Sequence, residues 1–221
     1  MSFRIKHIIP LFCLFLSGLL FSCRKEEPFD YESFRLDMVT CRIDGSEIYF
    51  QTDNGSRLFP EQPVSAGKYA DEQRVMLNYV IQKETDALKK EYLVKVRSVT
   101  RILSKEIVTL SQQESETAGN DSLYLGSIWY GGECINIRYK IEFNHIPHLL
   151  SMIYVPEEQL PDDTLRLKLI HDRNNDPAGF LTAGYASFRI PPALSAQNRP
   201  TARIQINGSN TPNNFLIVDL K

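Results

Sequence analysis

From Ile135 to Phe143 apolar and polar residues alternate without a break, with Ile135, Ile137, Tyr139, Ile141 and Phe143 interleaved by Asn136, Arg138, Lys140 and Glu142. A period of 3.6 would scatter such a pattern around a helix, whereas a strand sends successive side chains to opposite faces. The segment therefore reads as a long strand with one dry and one wet face. Val75-Leu77-Tyr79-Ile81, Tyr92-Val94-Val96, Leu165-Leu167-Leu169 and Ala202-Ile204-Ile206 repeat the signal over shorter lengths. Asp44-Gly45, Asn54-Gly55, Gly131-Gly132 and Asn207-Gly208 separate the runs with residues that tolerate positive φ. Asp44-Gly45 predicts the clearest hairpin, joining 38–43 to 47–52. Helical candidates are few; Thr85 to Glu91 is the best.

Between Leu110 and Ser122 the chain contains no large apolar residue and so cannot bury itself. Read as a linker at 111–122, this stretch divides the chain into two β units, one at 36–110 and one at 123–221. The second unit has enough strand candidates for an antiparallel β-sandwich. The first has about five, with a possible helix between the third and fourth, which is the order of an OB-type barrel. Its pattern also fits a plain antiparallel meander.

The N-terminus carries a different instruction. Arg4 and Lys6 precede an apolar run from Ile8 to Phe21, and Leu20-Phe21-Ser22-Cys23 is followed at once by Arg24-Lys25-Glu26-Glu27. The run is shorter than the ~18–20 apolar residues that span a bilayer, and it has the order of a secretory signal. A leucine three before a cysteine and a small residue just before it resemble a bacterial lipoprotein signal, in which the cysteine is acylated. Residues 1–22 are then a signal peptide, Cys23 is the lipidation site, and 23–35 form a tether. Partnership with a membrane through the N-terminal lipid follows from this reading. The charged block after Cys23 resembles the export tag of surface lipoproteins, which places the protein at the outer membrane facing outward; the periplasmic face is the alternative.

Loss of Arg4 and Lys6 with the signal leaves the chain with 27 Asp+Glu against 23 Lys+Arg, a net charge of −4. That balance, with basic residues scattered among apolar ones at Arg97 to Lys105, argues against nucleic acid as a partner. Of four cysteines, Cys13 leaves with the signal and Cys23 is acylated. An oxidising compartment would permit Cys41 and Cys134 to pair, which in the chain-entropy treatment adds roughly 4–5 kcal/mol. Parity opposes it, because Cys41 is in phase with Val39 and Ile43 while Cys134 is out of phase with the apolar set of its strand.

Residues 73–79 (Gln-Arg-Val-Met-Leu-Asn-Tyr), 128–137 (Ile-Trp-Tyr-Gly-Gly-Glu-Cys-Ile-Asn-Ile), His145 to Leu150 and Leu165 to Asp176 resemble the NigD-like lipoproteins of Bacteroidetes. The resemblance implies an all-β chain: an N-terminal OB domain, then a C-terminal β-sandwich domain, behind a lipoprotein signal. The family's name derives from a bacteriocin gene cluster, and the resemblance carries no catalytic signature.

His145-x-x-His148 and His171, followed by Asp172 and Asp176, are the one arrangement that suggests a metal site. Zinc wants three or four such ligands converging. The Asn-His-Ile-Pro-His segment is a turn, without the i, i+4 spacing that presents two imidazoles from a helix, so hydrogen bonding to strand ends and loops is the expected role. No Gly-x-Ser-x-Gly nucleophile turn occurs. Gly131-Gly132 has no following helix to make a phosphate site, and the aspartates lack calcium-loop spacing. No cofactor is implied. Trp129-Tyr130 offers a stacking platform for sugar, although neighbouring strand residues point opposite ways, which assigns one of the two to the core.

These features describe a non-enzymatic binding or assembly module displayed from an envelope membrane, with a glycan, a peptide or an envelope protein as ligand. Two alternatives stand beside it: a surface metal-dependent hydrolase using the histidines, and a protection or transport accessory associated with a bacteriocin.

Overall fold

The computed structural model describes residues 34–211 and 214–221. Cys23, the signal and most of the tether lie outside them. The first five strands are β1 (Arg35–Asp44), β2 (Glu47–Thr52), β3 (Arg57–Pro60), β4 (Arg74–Asp86) and β5 (Glu91–Arg101). They close into a barrel in the order β1-β2-β3-β5-β4, the arrangement of an OB domain. Closure depends on β1 serving two neighbours. Its N-terminal half pairs with β4, from Arg35↔Tyr79 to Thr40↔Arg74, and its C-terminal half pairs with β2, from Val39↔Thr52 to Asp44↔Glu47. Three register shifts in the β4–β5 ladder bend that long hairpin around the barrel. Alternate residues meet inside: Val39, Cys41, Phe50, Val75, Leu77 and Val94 are fully buried, each apolar side chain contributing about 1.5–3 kcal/mol.

Nine further strands follow: β6 (Leu103–Glu106), β7 (Val108–Thr109), β8 (Tyr124–Gly131), β9 (Cys134–Phe143), β10 (Leu149–Tyr154), β11 (Thr164–Asp172), β12 (Phe180–Arg189), β13 (Thr201–Ile206) and β14 (Phe215–Asp219). They form two sheets, β14-β13-β11-β10-β7 and β6-β12-β9-β8. Ile135, Ile137, Met152, Leu165, Leu167, Phe188 and Ile204 fill the space between them, as expected of a sandwich whose strands alternate. Among the described residues no helix is long and apolar enough to cross a membrane.

The structure adds to or departs from the sequence reading in five places. Thr85 to Glu91 is not helical: β4 runs on to Asp86, whose carboxylate accepts the N–H groups of Leu88 (3.0 Å) and Lys89 (3.1 Å) to turn the hairpin. The polar segment after Leu110 holds a short helix, α1 (Gln112–Thr117), with Ser111 and Glu114 forming a capping box. The chain enters the sandwich before that segment, because β6 pairs with β12 only one residue after β5 ends. Cys41 and Cys134 are free and buried: Cys41 points into the barrel core, whereas Cys134 lies on the face of β9 opposite Ile135. Finally, the face of β9 that reads as wet is dry at one end, where Cys134 and Asn136 are almost fully buried because the barrel covers it.

Candidate ligand-binding site at the barrel mouth

The barrel and the sandwich meet through polar groups. Arg74, at the start of β4, is completely buried and donates through Nη1 to Asp53 Oδ1 (2.6 Å) and Thr40 Oγ1 (3.0 Å). Its backbone N–H donates to Ser104 Oγ of β6 (3.3 Å). The β8–β9 turn lies directly against this pair. A Cβ on Gly131 would come within 2.2 Å of Asp53 Oδ2, and one on Gly132 within 2.4 Å of Arg74 Nη1. Gly132 also has φ of +59°, so the dipeptide meets a steric and a conformational demand at once. Arg189 of β12 reaches across to the Glu72 carbonyl (3.0 Å) and pairs with Glu133 (3.3 Å). Behind the turn, Asn136 donates to the Gly131 carbonyl and accepts from Ser187 Oγ, leaving a buried polar layer with partners.

Beside this junction the end of the barrel opens into a cavity of about 580 Å³, within the ~300–1,000 Å³ of small-molecule sites, which favour domain junctions and barrel mouths. The barrel contributes Asp37, Met38, Asp53, Asn54, Met76, Tyr79 and Tyr92; the sandwich contributes Trp129 and Tyr185. Trp129 and Tyr130 divide as strand neighbours do: Tyr130 packs on the sandwich core and Trp129, half-buried, lines the cavity. Tyr79 donates its hydroxyl to Asp37 Oδ2 (2.8 Å). Burial, and then the Asp37 carboxylate, push the phenol far above its ordinary range, so it remains a donor. Asn54 Oδ1 accepts from Thr52 Oγ1, Ser56 N and Ser56 Oγ, which fixes the β2–β3 turn at the rim.

The histidines occupy another place, at one end of the sandwich. His148 and His171 come together and His145 does not. His148 Nδ1 lies 2.8 Å from His171 Nε2, His148 Nε2 lies 3.1 Å from Asp176 Oδ2, and His171 Nδ1 lies 3.1 Å from the Ser122 carbonyl. The His145 side chain is 66% exposed, with Nδ1 3.8 Å from Asp176. The Asp176 carboxylate accepts the backbone N–H groups of Asn144, His145 and Ile146. Burial pushes its titration up, but those N–H groups and the His148 ring outweigh burial and hold it well below the usual carboxylate range. Both ends of the chain of rings are acceptors, so its three bonds need three protons, one more than two neutral imidazoles carry. Burial lowers the titration of His171, which disfavours a second proton on that ring. Tetrahedral zinc with Zn–N distances of about 2.0–2.1 Å sets its nitrogens roughly 3.3 Å apart, wider than the 2.8 Å between these two rings, which are at hydrogen-bond distance. Among the described residues no group of three His, Cys, Asp or Glu is placed to hold a metal ion.

Arg74, Asp53, Arg189 and Glu72 were not legible as a junction, because each is an ordinary charged residue until the fold supplies its partner. The Gly131-Gly132 pair is the one signal that could have pointed there.

Two domain descriptions match the chain, the NigD-like N-terminal OB domain over residues 38–102 and the NigD-like C-terminal beta sandwich domain over residues 106–219. No curated protein matches. Among solved structures, a protein of unknown function from Bacteroides vulgatus superposes with a TM-score of 0.73 at 18% identity, covering 85% of this chain and 90% of its own. A putative lipoprotein from Bacteroides fragilis gives 0.64 at 12% identity, with 85% and 98% covered. A NigD-like immunity protein from Bacteroides caccae gives 0.60 at 18% identity, with 84% and 91% covered. At these identities the structures support the fold. With both domain matches in sequence order and together spanning most of the chain, the protein belongs to the NigD-like family.

Proposed function

We propose that this chain is an envelope lipoprotein, tethered to the outer membrane by lipid on Cys23 and displayed at the cell surface, and that it acts as a non-enzymatic binding module with its ligand site at the barrel mouth. The observation that carries the reading is the cavity of about 580 Å³ walled by both domains. Each of its carboxylates accepts from an internal partner through one oxygen, Asp53 from Arg74 and Asp37 from Tyr79. They orient rings and acceptors and form no nucleophile–base pair of the kind hydrolysis requires. The name of the Bacteroides fragilis structure, a putative lipoprotein, supports the anchor.

The anchor is tested by metabolic labelling with a clickable fatty acid. Wild-type protein takes the label and Cys23→Ala does not; equal labelling of both removes the anchor. The site is tested by screening the purified full chain in detergent against glycans, peptides and envelope proteins, with Trp129→Ala as the comparison. A ligand held equally by both proteins would place the site elsewhere.

A second reading, protection against a bacteriocin, draws on the name of the Bacteroides caccae structure, a NigD-like immunity protein. Deletion of the gene should then raise toxin sensitivity, and unchanged sensitivity rejects it.

A further inference from the structure

We infer that the barrel mouth takes a neutral oligosaccharide; this deepens the binding-module reading and rests on it. The cavity combines two chemistries. Trp129 and Tyr185 on the sandwich side and Tyr92 on the barrel side are half-buried rings, which leaves each with some accessible ring surface. A pyranose ring has an apolar C–H surface and a polar rim, so ring faces and fixed acceptors in one cavity match both of its parts. Asp37 and Asp53 are the acceptors. Each carboxylate gives an oxygen to a neighbour, Asp37 to Tyr79 and Asp53 to Arg74, and a carboxylate has about four acceptor positions in all, enough to receive sugar hydroxyls as well.

Charge selects among sugars. Arg35 lines the cavity with the two aspartates, and Arg74 is paired with Asp53 at 2.6 Å, so two carboxylates stand against two guanidinium groups. A ligand bearing uronate or sulfate would meet both carboxylates and, on the cavity wall, only the Arg35 guanidinium, because Arg74 is completely buried and does not line the cavity. A neutral ligand avoids that imbalance. Free backbone donors and acceptors are not required, which separates this mode from strand addition by a peptide. The site is built from side chains of both domains, so ligand shape is read across a junction that Arg74, Asp53 and Arg189 hold closed.

The test is titration calorimetry of the purified full chain in detergent against gluco-, manno- and xylo-oligosaccharides, an acidic galacturonate series and a mixed peptide library. The expected result is saturable binding of a neutral series, changed less than twofold between 50 mM and 500 mM salt, and weakened at least tenfold by Trp129→Ala and by Tyr185→Ala. Trp129→Phe should recover part of the loss, and circular dichroism should show each variant folded. Arg203→Ala, on the far sheet, should leave binding unchanged. Tighter binding of the acidic series, or binding of peptides with neutral sugars inactive, overturns the oligosaccharide assignment while the module stands. Neutral sugar binding that ignores both ring substitutions overturns the assignment of the mouth. No binding by any ligand class overturns both.

Discussion

His148 Nδ1 and His171 Nε2 lie 2.8 Å apart, closed off at one end by the Asp176 carboxylate and at the other by the Ser122 carbonyl. A hydrogen bond at that distance has one proton in it. If both rings were doubly protonated, two N–H groups would face each other across the same gap, in a site where Asp121 is the other carboxylate near His171.

Stability should therefore fall in mild acid. Burial, then the charge on His148, lower the titration of His171 from its ordinary 6.5. Below 6.5 the unfolded chain takes up a proton that the folded protein refuses, so unfolding gains protons and stability drops as pH falls, by at most about 1.4 kcal/mol per pH unit for one group. Asp176 works in the same direction at far lower pH, because its titration is lowered from 3.8. Urea midpoints measured from pH 8 to pH 5 should decline in wild type and much less in His171→Gln.

At the domain junction, Asp53→Ala leaves the Arg74 guanidinium buried without its counter-charge. Removing one partner of a buried pair costs ~3–5 kcal/mol, and the 30% exposure of the Asp53 side chain puts this one near 3 kcal/mol. Replacing both partners with apolar residues should cost less than the single change. Chemical denaturation of the two variants compares them directly.

Gly132→Ala places a side chain at φ of +59° and a Cβ 2.4 Å from Arg74 Nη1, where the long arginine cannot yield because it is enclosed. Holding a non-glycine residue in that backbone region costs of order 1–3 kcal/mol. The melting temperature should drop, with sugar or other ligand affinity at the mouth falling in parallel because the same turn carries β8 and Trp129.

The two interior cysteines should be inert in the native protein. Burial, and then the Asp71 charge, push the Cys41 thiol up to about 12, and burial raises Cys134 as well. The thiolate is the reactive form, so alkylation by iodoacetamide should be negligible until denaturant is added, when both sites label. A bridge between them would block labelling in denaturant also.

The strands themselves were legible because a half-buried strand writes its burial into alternate letters, as Ile135 to Phe143 and Leu165 to Leu169 do. What covers a face is not written there. Asn136 looks like a solvent residue and is completely buried, because the barrel lies over its end of β9. Thr85 to Glu91 has helical composition, yet strand pairing carries β4 through Thr85 and Asp86 against β5, and tertiary pairing outweighs propensity in so short a segment. Among the histidines, the nearest pair in sequence, His145 and His148, is separated by the turn that Asp176 organises. The pair that meets is separated by 23 residues and depends on the alignment of β10 with β11, Leu150 opposite His171.

Only Ile102 separates the last barrel strand from the first sandwich strand. A chain with so short a passage cannot release one unit while the other stays docked: β6, which begins at Leu103 and whose Ser104 hydroxyl receives the Arg74 N–H, is committed to both. Heating should accordingly produce a single endotherm whose calorimetric and van't Hoff enthalpies agree. In mechanical terms the barrel and the sandwich, which lie in one compact unit over Phe34–Lys221, should respond to a ligand seated between them as a single block.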